Sequence, residues 1–383
     1  MPTSAEPPSP PVALDSLTVV DFSRVLAGPF ATMMLADLGA EVIKVERPGS
    51  GDETRAWGPP FDERGQATYF EAVNRNKRSV ALDLRDPAGA AEARRLIAGA
   101  DVLVENFRPG VMERLGLGWD DLRSEQPDLV YCSITGFGRG AGAALPGYDL
   151  LVQALGGLMS ITGEPDREPQ KVGVALVDVL AGLFAAVGIL AALRRRERGG
   201  GGQRVEVNLL SSLLAALVNQ GSAHTVAGAT PARMGNAHPS IAPYELLRSG
   251  DGDLVLAVGT DGQFAALCAV IGADALAADP RFATNPDRVA NRAALRSELE
   301  ARLEERSAAE WAVELTAASV PAGVVNDIAA AFELAAALDL EPIVSLPRED
   351  GSTVALTRNP IGLSRTPPRY RSAPPELPDA EQP

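Results

Sequence analysis

Cysteine and histidine are nearly absent from this chain. Its only cysteines are Cys132 and Cys268, so neither a disulfide framework nor a cysteine-rich zinc site can be assembled. Its only histidines, His224 and His238, exclude a multi-histidine metal centre. Lysine is scarce too: Lys44, Lys77 and Lys171 are the only three among 35 basic residues. Acidic residues number 50, and the formal net charge is -15. That field repels phosphate and disfavours a general binder of nucleic acid or anionic membrane, while leaving room for a local basic pocket. The first residues, MPTSAEPPSPPV, lack the basic and apolar regions of a signal peptide and read as a disordered tail, placed at residues 1–14. There is one long apolar run, Val172 to Leu193, followed by RRRER and GGGG. Asp178 inside it, glycines through it and no second span make it a buried core helix rather than a membrane crossing. The expected location is cytoplasmic.

What is present is ordinary for a globular protein: 46% hydrophobic and 22% charged residues over 383 positions, enough for two domains with buried cores. The first half alternates strand and helix signals. Strands are expected at 17–22, EVIKVE (41–46), 79–84, DVLVEN (101–106) and within 126–135. Helices are expected at 30–38, stopped by Gly39, and from an Asp86 cap with Pro87 in the first turn to about Ile97. This alternation implies βαβ units around a mainly parallel, doubly wound sheet, an α/β class. A helix over 179–196, a strand over 204–209 and a helix over 210–219 follow, then a glycine-, alanine- and proline-rich crossing segment. A hairpin over 244–258, turning at Asp251-Gly252, and helices at 263–271, 288–306 and 308–318 read as a smaller α+β domain. The expected division is a large domain at 15–205, a linker at 206–245, the small domain at 246–326 and a return to the large domain from 327, ending in a loose proline-rich tail.

Two motifs that look like nucleotide sites are discarded. Gly136-Phe137-Gly138-Arg139-Gly140-Ala141 follows a strand, but Gly142, Pro146 and Gly147 prevent the helix that a dinucleotide fingerprint needs. Gly199 to Gly202 lacks the Lys-Ser/Thr ending of a phosphate loop and reads as a helix stop. The run Asn74-Arg75-Asn76-Lys77-Arg78-Ser79 is dense in basic residues, with Lys44, Arg47, Arg85, Arg108 and Arg114 at or beyond strand ends nearby. Such cations border a ligand crevice in an open parallel sheet and could hold a polyphosphate; they could equally form a solvated face balanced by Glu46, Asp83 and Glu113. Asp178 sits between apolar neighbours, where a carboxylate is expensive unless it is paired or functional. It is either the N-cap of its helix or a partly desolvated nucleophile.

DFSRVLAGPFATMMLADLGAEVIKVERPGSGDETR (21–55), NRNKRSVALDL (74–84), ADVLVENFRPGVMERLGL (100–117), PGYD (146–149) and the surroundings of Asp178 resemble the class III CoA-transferases, in the same order and over about residues 15–370. The family includes formyl-CoA and carnitine CoA-transferases. The resemblance implies a Rossmann-like large domain, a smaller domain and two subunits interlocked like chain links. By position it makes Asp178 the catalytic aspartate. It places Val25, Leu26, Ala27, Arg47, Leu82, Asp83, Leu84, Arg85, Asn106, Phe107, Arg108, Arg114, Gly147, Tyr148 and Asp149 at CoA-contacting positions. NLLSS (208–212) and GNAHPSIAPYE (235–245) lean toward the succinyl-CoA:glutarate type.

The resemblance implies CoA transfer from an acyl-CoA, such as a short dicarboxylyl-CoA, to a carboxylic acid. The CoA thioester is a substrate, and no permanently bound cofactor or metal is implied. Arg24, Arg233 and His238 are candidates for a distal carboxylate. Gly235 to Ser240 stands where formyl-CoA transferase has a glycine run over its site. The related α-methylacyl-CoA racemases place a histidine thirty residues before the aspartate, where this chain has Tyr148, a poor base at neutral pH. The alternatives to transfer are a CoA-ester racemase or epimerase and a non-catalytic subunit that binds CoA esters.

Overall fold

The structure, a computed structural model, describes residues 12–378. Among these residues a six-stranded sheet is built from β1 (Thr18–Asp21), β2 (Glu41–Glu46), β3 (Lys77–Ala81), β4 (Val102–Glu105), β5 (Val130–Thr135) and β6 (Arg204–Asn208). Every neighbour pairs in parallel, in the order β3-β2-β1-β4-β5-β6. Helices α1 (Ala27–Asp37), α2 (Pro87–Ala98), α3 (Asp149–Leu155), α4 (Leu176–Arg195), α5 (Leu209–Ala216) and α6 (Val218–Ala227) connect or cover the strands. Alternate strand residues supply opposite faces. Val19, Val102 and Val104 pack with Ala31 and Leu35 of α1 and Ala181, Ala185 and Ile189 of α4. Val20 and Leu103 pack with Ala93 and Ile97 of α2. Covering on both faces is why β4 and β5 are buried throughout, and why their sequences read as runs rather than alternations.

The chain divides into two compact units. The first runs to Leu158, resumes over Val172–Gly228 and again from Glu341. The second takes Met159–Lys171 and Ala229–Leu340. In the second, β7 (Tyr244–Arg248), β8 (Asp253–Ala257) and β9 (Ala322–Val324) form an antiparallel sheet around Leu254, Leu256, Phe264 and Trp311. In the first, β10 (Ile343–Pro347) and β11 (Thr353–Thr357) form a separate hairpin.

Several local readings change. The glycine- and alanine-rich stretch from residue 220 stays helical to Ala227 in α6. The β7–β8 hairpin turns where expected, through a four-residue loop at 249–252 that contains Asp251-Gly252 and is closed by Ser249 N donating to the Gly252 carbonyl (2.8 Å). The helix expected over 288–306 is two, Asn285–Ala290 and Arg292–Leu303. Asp86 precedes α2 but makes no side-chain cap; Pro87 alone marks the start. The chain after Thr135 makes turns until α3, as expected for a segment that is not a dinucleotide loop.

The expected N-terminal tail lies outside the described residues through position 11; Leu14 is tied by its N–H to the Leu38 carbonyl (3.0 Å). The C-terminal stretch is extended but anchored. Arg369 N donates to the Asp37 carbonyl (2.7 Å), Arg371 N to Asn76 Oδ1 (2.6 Å), and Arg55 to the Pro375 carbonyl (3.0 Å). Helix α4 continues through a terminal turn to Gly200, and this stretch is long and apolar enough to cross a membrane. Val177, Ala181, Ala185, Ile189 and Ala192 bury one face of α4 in the core, while Leu183, Phe184 and Val187 lie exposed on the other.

Candidate functional site

The order of the sheet reverses between β1 and β4, and open parallel sheets bind ligands beyond the strand C-termini at such a point. Two adjoining cavities lie there, both within the first unit. The larger, about 540 Å³, is lined by Arg47, Leu82, Asp83, Leu84, Arg85 and Arg114, which follow β2, β3 and β4. The smaller, about 210 Å³, is lined by Val25, Leu26, Ala27, Asn106, Gly147, Tyr148 and Asp178. Arg24, Phe107 and Arg108 line both. A cleft thus runs from a cationic chamber past Phe107 to the Asp178 carboxylate. Arg85 is engaged by Asp83 (2.8 Å), whose carboxyl it holds down to about 2. The Arg24 guanidinium lies over Phe107 (4.9 Å) and pairs with Glu53, while its Nε is buried without a partner.

Asp178 is not an N-cap. Ala175 holds that position with no side-chain bond, and Asp178 is in the first turn of α4. The helix is capped from outside. Asp149 Oδ2 accepts from Val177 N (2.8 Å) and Asp178 N (3.2 Å), so a remote carboxylate answers donors that local sequence leaves open. Asp149 Oδ1 accepts from Gln153, whose own Oε1 accepts from Val172 N (2.9 Å). Asp149 therefore fixes the backbone beside Asp178 and does not line either cavity. Burial, and then the charge of Asp149, push the Asp178 carboxyl up to about 7. A carboxylate of that basicity is a stronger nucleophile than an exposed one once ionised. Gly182, one turn on, lets α4 meet α1: a Cβ there would sit 2.6 Å from the Ala27 carbonyl oxygen.

In the basic run 74–79, residues 74–77 form neither a phosphate site nor a solvated face, whereas Arg78 is exposed and lies 3.8 Å from Glu41. Asn74, Arg75, Asn76 and Lys77 are buried. Arg75 Nη2 pairs with Asp37 (2.6 Å), and Lys77 Nζ donates to Asp21 (3.2 Å) and to Asn74 (2.9 Å). Lys44, also grouped with the crevice cations, is fully buried against Asp52 (2.9 Å). Burial pulls Lys77 down to about 8 despite Asp21, with repulsion from Lys44 acting the same way. Burial would raise Asp21, but the charges of Lys77 and Lys44 together with the hydroxyls of Ser23 and Thr32 outweigh it and hold Asp21 below its ordinary value.

Arg233 and His238 belong to the second unit. The Arg233 guanidinium donates to the carbonyls of Glu164 (3.1 Å) and Pro165 (3.3 Å). His238 Nδ1 accepts from Ser240 N (3.1 Å), and its ring lies 5.2 Å from that of Tyr244. Sequence reasoning missed the aromatic pair Trp57 and Tyr69, stacked edge-on at 5.5 Å, of which Trp57 lines the smaller cavity. Burial, then the charges of Asp178, Asp149 and Asp52, push the Tyr69 phenol up to about 12, so it stays a donor.

Residues 14–380 match the family described as CoA-transferase family III. A succinate–glutarate CoA-transferase from Agrobacterium fabrum is 44% identical over 95% of this chain and 92% of its own. An acetyl-CoA:oxalate CoA-transferase from Acetobacter aceti is 44% identical over 87% of this chain and 85% of its own. A crystal structure of a CAIB/BAIF family protein from Brucella suis superposes with a TM-score of 0.85 at 45% identity, covering 96% of both chains. With a cleft of this shape at its sheet edge, the chain is an enzyme that belongs to CoA-transferase family III.

Proposed function

We propose that this enzyme moves CoA between carboxylic acids with Asp178 as the covalent carrier. One observation carries the reading: Asp178, with its carboxyl raised to about 7, lines a chamber continuous with a larger cavity that bears Arg47, Arg85 and Arg114. A Rossmann-like first unit would seat the phosphates of the CoA thioester on those arginines, and the thiol arm would pass Phe107 and Arg108 to Asp178. Ionised Asp178 attacks the thioester carbonyl, the C–S bond breaks, and CoA leaves as thiolate, giving an acyl-aspartyl anhydride. The thiolate then attacks the aspartyl carbonyl and releases the donor acid as carboxylate. The aspartyl-CoA thioester that remains is attacked by the acceptor carboxylate, and the same two steps run in reverse to give the new acyl-CoA and free Asp178. Over the whole cycle one thioester is broken and one is formed, so the transfer is close to energy-neutral and involves no change of oxidation state.

The acids are proposed to be short dicarboxylates. Arg24 is proposed to hold a distal carboxylate, supported by its guanidinium side chain in the wall of the Asp178 chamber. The active form is proposed to be an interlocked homodimer, supported by the family resemblance and by Leu183, Phe184, Val187, Leu214 and Val218, apolar side chains that an isolated chain leaves in water.

Asp178→Asn keeps the shape and removes the nucleophile, so the variant should fold and bind CoA while kcat falls by about 10³-fold or more. Wild-type enzyme treated with acyl-CoA and hydroxylamine should carry a hydroxamate at Asp178, seen by peptide mass spectrometry. An unmodified Asp178 peptide together with an active asparagine variant would end this mechanism.

A carboxyl raised to about 7 is protonated, and inert as a nucleophile, below that pH. The kcat/KM profile should therefore climb about tenfold per pH unit and level off near 7. Asp149→Asn removes the second cause and leaves burial, so the limb should shift to lower pH without reaching the ordinary aspartate value. A limb that stays in place would show that Asp149 does not set it.

In a matrix of acyl-CoA donors and acids read by mass spectrometry, C4–C6 dicarboxylates should be preferred. Arg24→Met should raise their KM by about tenfold while leaving monocarboxylates unchanged. Monocarboxylates used far better than every dicarboxylate would refute this. Threaded subunits cannot part on dilution, so sedimentation at nanomolar protein should show only dimer; a concentration-dependent monomer contradicts the interlock.

A further inference from the structure

Val25, in the turn between β1 and α1, has φ +67, a left-handed conformation that a β-branched side chain adopts only under strain. Such strain persists where the surroundings over-determine it, and it concentrates at functional sites. The surroundings of this turn do so. The Val25 N–H donates to both carboxylate oxygens of Asp52 (3.3 Å each). Asp52, 1% exposed, is itself locked by Lys44 Nζ (2.9 Å), Thr54 N (3.0 Å) and Thr54 Oγ1 (2.8 Å). Lys44 Nζ reaches across to the Ser23 carbonyl (3.0 Å). Asn106 clamps Arg24 from both sides, accepting from its N–H (2.9 Å) and donating to its carbonyl (2.7 Å). Gly28 closes the turn, since a Cβ there would sit 2.1 Å from Ser23 Oγ. Three consecutive residues are thus held by side chains from β2 and from the loops after β2 and β4.

The held turn is a wall of the chamber. Val25, Leu26 and Ala27 line it with Asp178, and Arg24 lines the junction of both cavities. An ordinary φ at position 25 would redirect the chain between Arg24 and the start of α1. We propose that Asp52, locked by Lys44, is a positioning residue for CoA transfer: it keeps Val25 left-handed so that Arg24 to Ala27 face Asp178. This rests on the reading of the chamber as the transfer site. A purely structural Lys44–Asp52 pair would stabilise the fold and have no particular relation to the φ of residue 25.

Glycine adopts a left-handed φ without strain, so it should free the turn from its clamp. The test is a cycle in which Asp52→Asn is measured in the wild-type and Val25→Gly backgrounds. The asparagine amide keeps its oxygen toward Lys44 and turns NH₂ toward the Val25 and Thr54 N–H groups, so half of the bifurcated clamp is lost and donor faces donor. In the wild-type background kcat should fall by about 10²-fold, with KM for the donor moved by less than about threefold. In the Val25→Gly background the same substitution should change kcat by less than about threefold. Lys44→Met with Asp52→Leu, which leaves no buried charge unpaired and no acceptor for the Val25 N–H, is run in both backgrounds and should show the same pattern. Folding only with glycine at position 25 also supports the proposal. Val25 lines the chamber, so Val25→Gly lowers the starting kcat by itself and each loss is read within its own background. Equal fold-losses in both backgrounds, no loss in either, unfolding in both, or a Val25→Gly protein with no measurable turnover overturns it. Asp178→Asn is run alongside: if it stays active the transfer site is misread, whereas an inactive Asp178→Asn with a failed cycle removes only the role of Asp52.

Discussion

The constraint from which the cleft follows is a buried ammonium. Lys44 lies in β2 with its side chain fully out of water, where an unpaired charge is untenable. Burial pulls its pKa down, and the charges of Asp52, Asp21 and Glu46 more than restore it. Each of those acids is shared. Glu46 binds Arg55 (2.7 Å) and Ser79 (2.6 Å) and accepts from Asp52 N (2.8 Å). Asp21 takes Lys77, Ser23 and Thr32. Satisfying one lysine thereby ties β1, β2, β3, the start of α1 and the loop after β2 into one set of contacts beneath both cavities. Networks of this kind contribute little net stability against an apolar core, yet losing one member leaves a charge uncompensated. Their value here lies in geometry.

The parallel sheet was legible because burial on both faces writes strands as apolar runs, and EVIKVE matches β2 residue for residue. The cleft was legible because its arginines and its loops sit where strands end. What local sequence could not show is partnership across the chain. Arg75 looks like a surface cation until Asp37, 38 positions away, is placed beside it. Asp178 looks like an N-cap because its real cap, Asp149, stands 29 residues upstream on another helix. Lys44 reads as a crevice cation, yet its pairing turns it inward. Each misreading concerns a charged group whose meaning is set by a residue that only the fold brings near.

On the proposed reading, the two cavities divide recognition from chemistry. The larger presents cations and an apolar floor of Phe22 and Val45, and the smaller presents Asp178 among main-chain turns. They meet only at Arg24, Phe107 and Arg108. Relatives with equal identity to this chain carry names that specify glutarate and oxalate. If the proposed division holds, the chamber beside Asp178 could diverge while the other end of the cleft keeps its shape.

The anchored C-terminal stretch sets an order of events. Asp37, at the end of α1, is satisfied by Asn359, 322 residues later, as well as by Arg75 and Asn76. The N–H of Asn76 and its side chain wait for Ser372 and Arg369, and Arg75 waits for the Thr357 carbonyl. A ribosome delivers those partners long after the groups they satisfy. Until they emerge, the β3 side of the sheet holds these polar groups with water in place of their native partners. The nascent chain can assemble its strands early, but this side closes only when those distant residues arrive, and loops of that span form slowly.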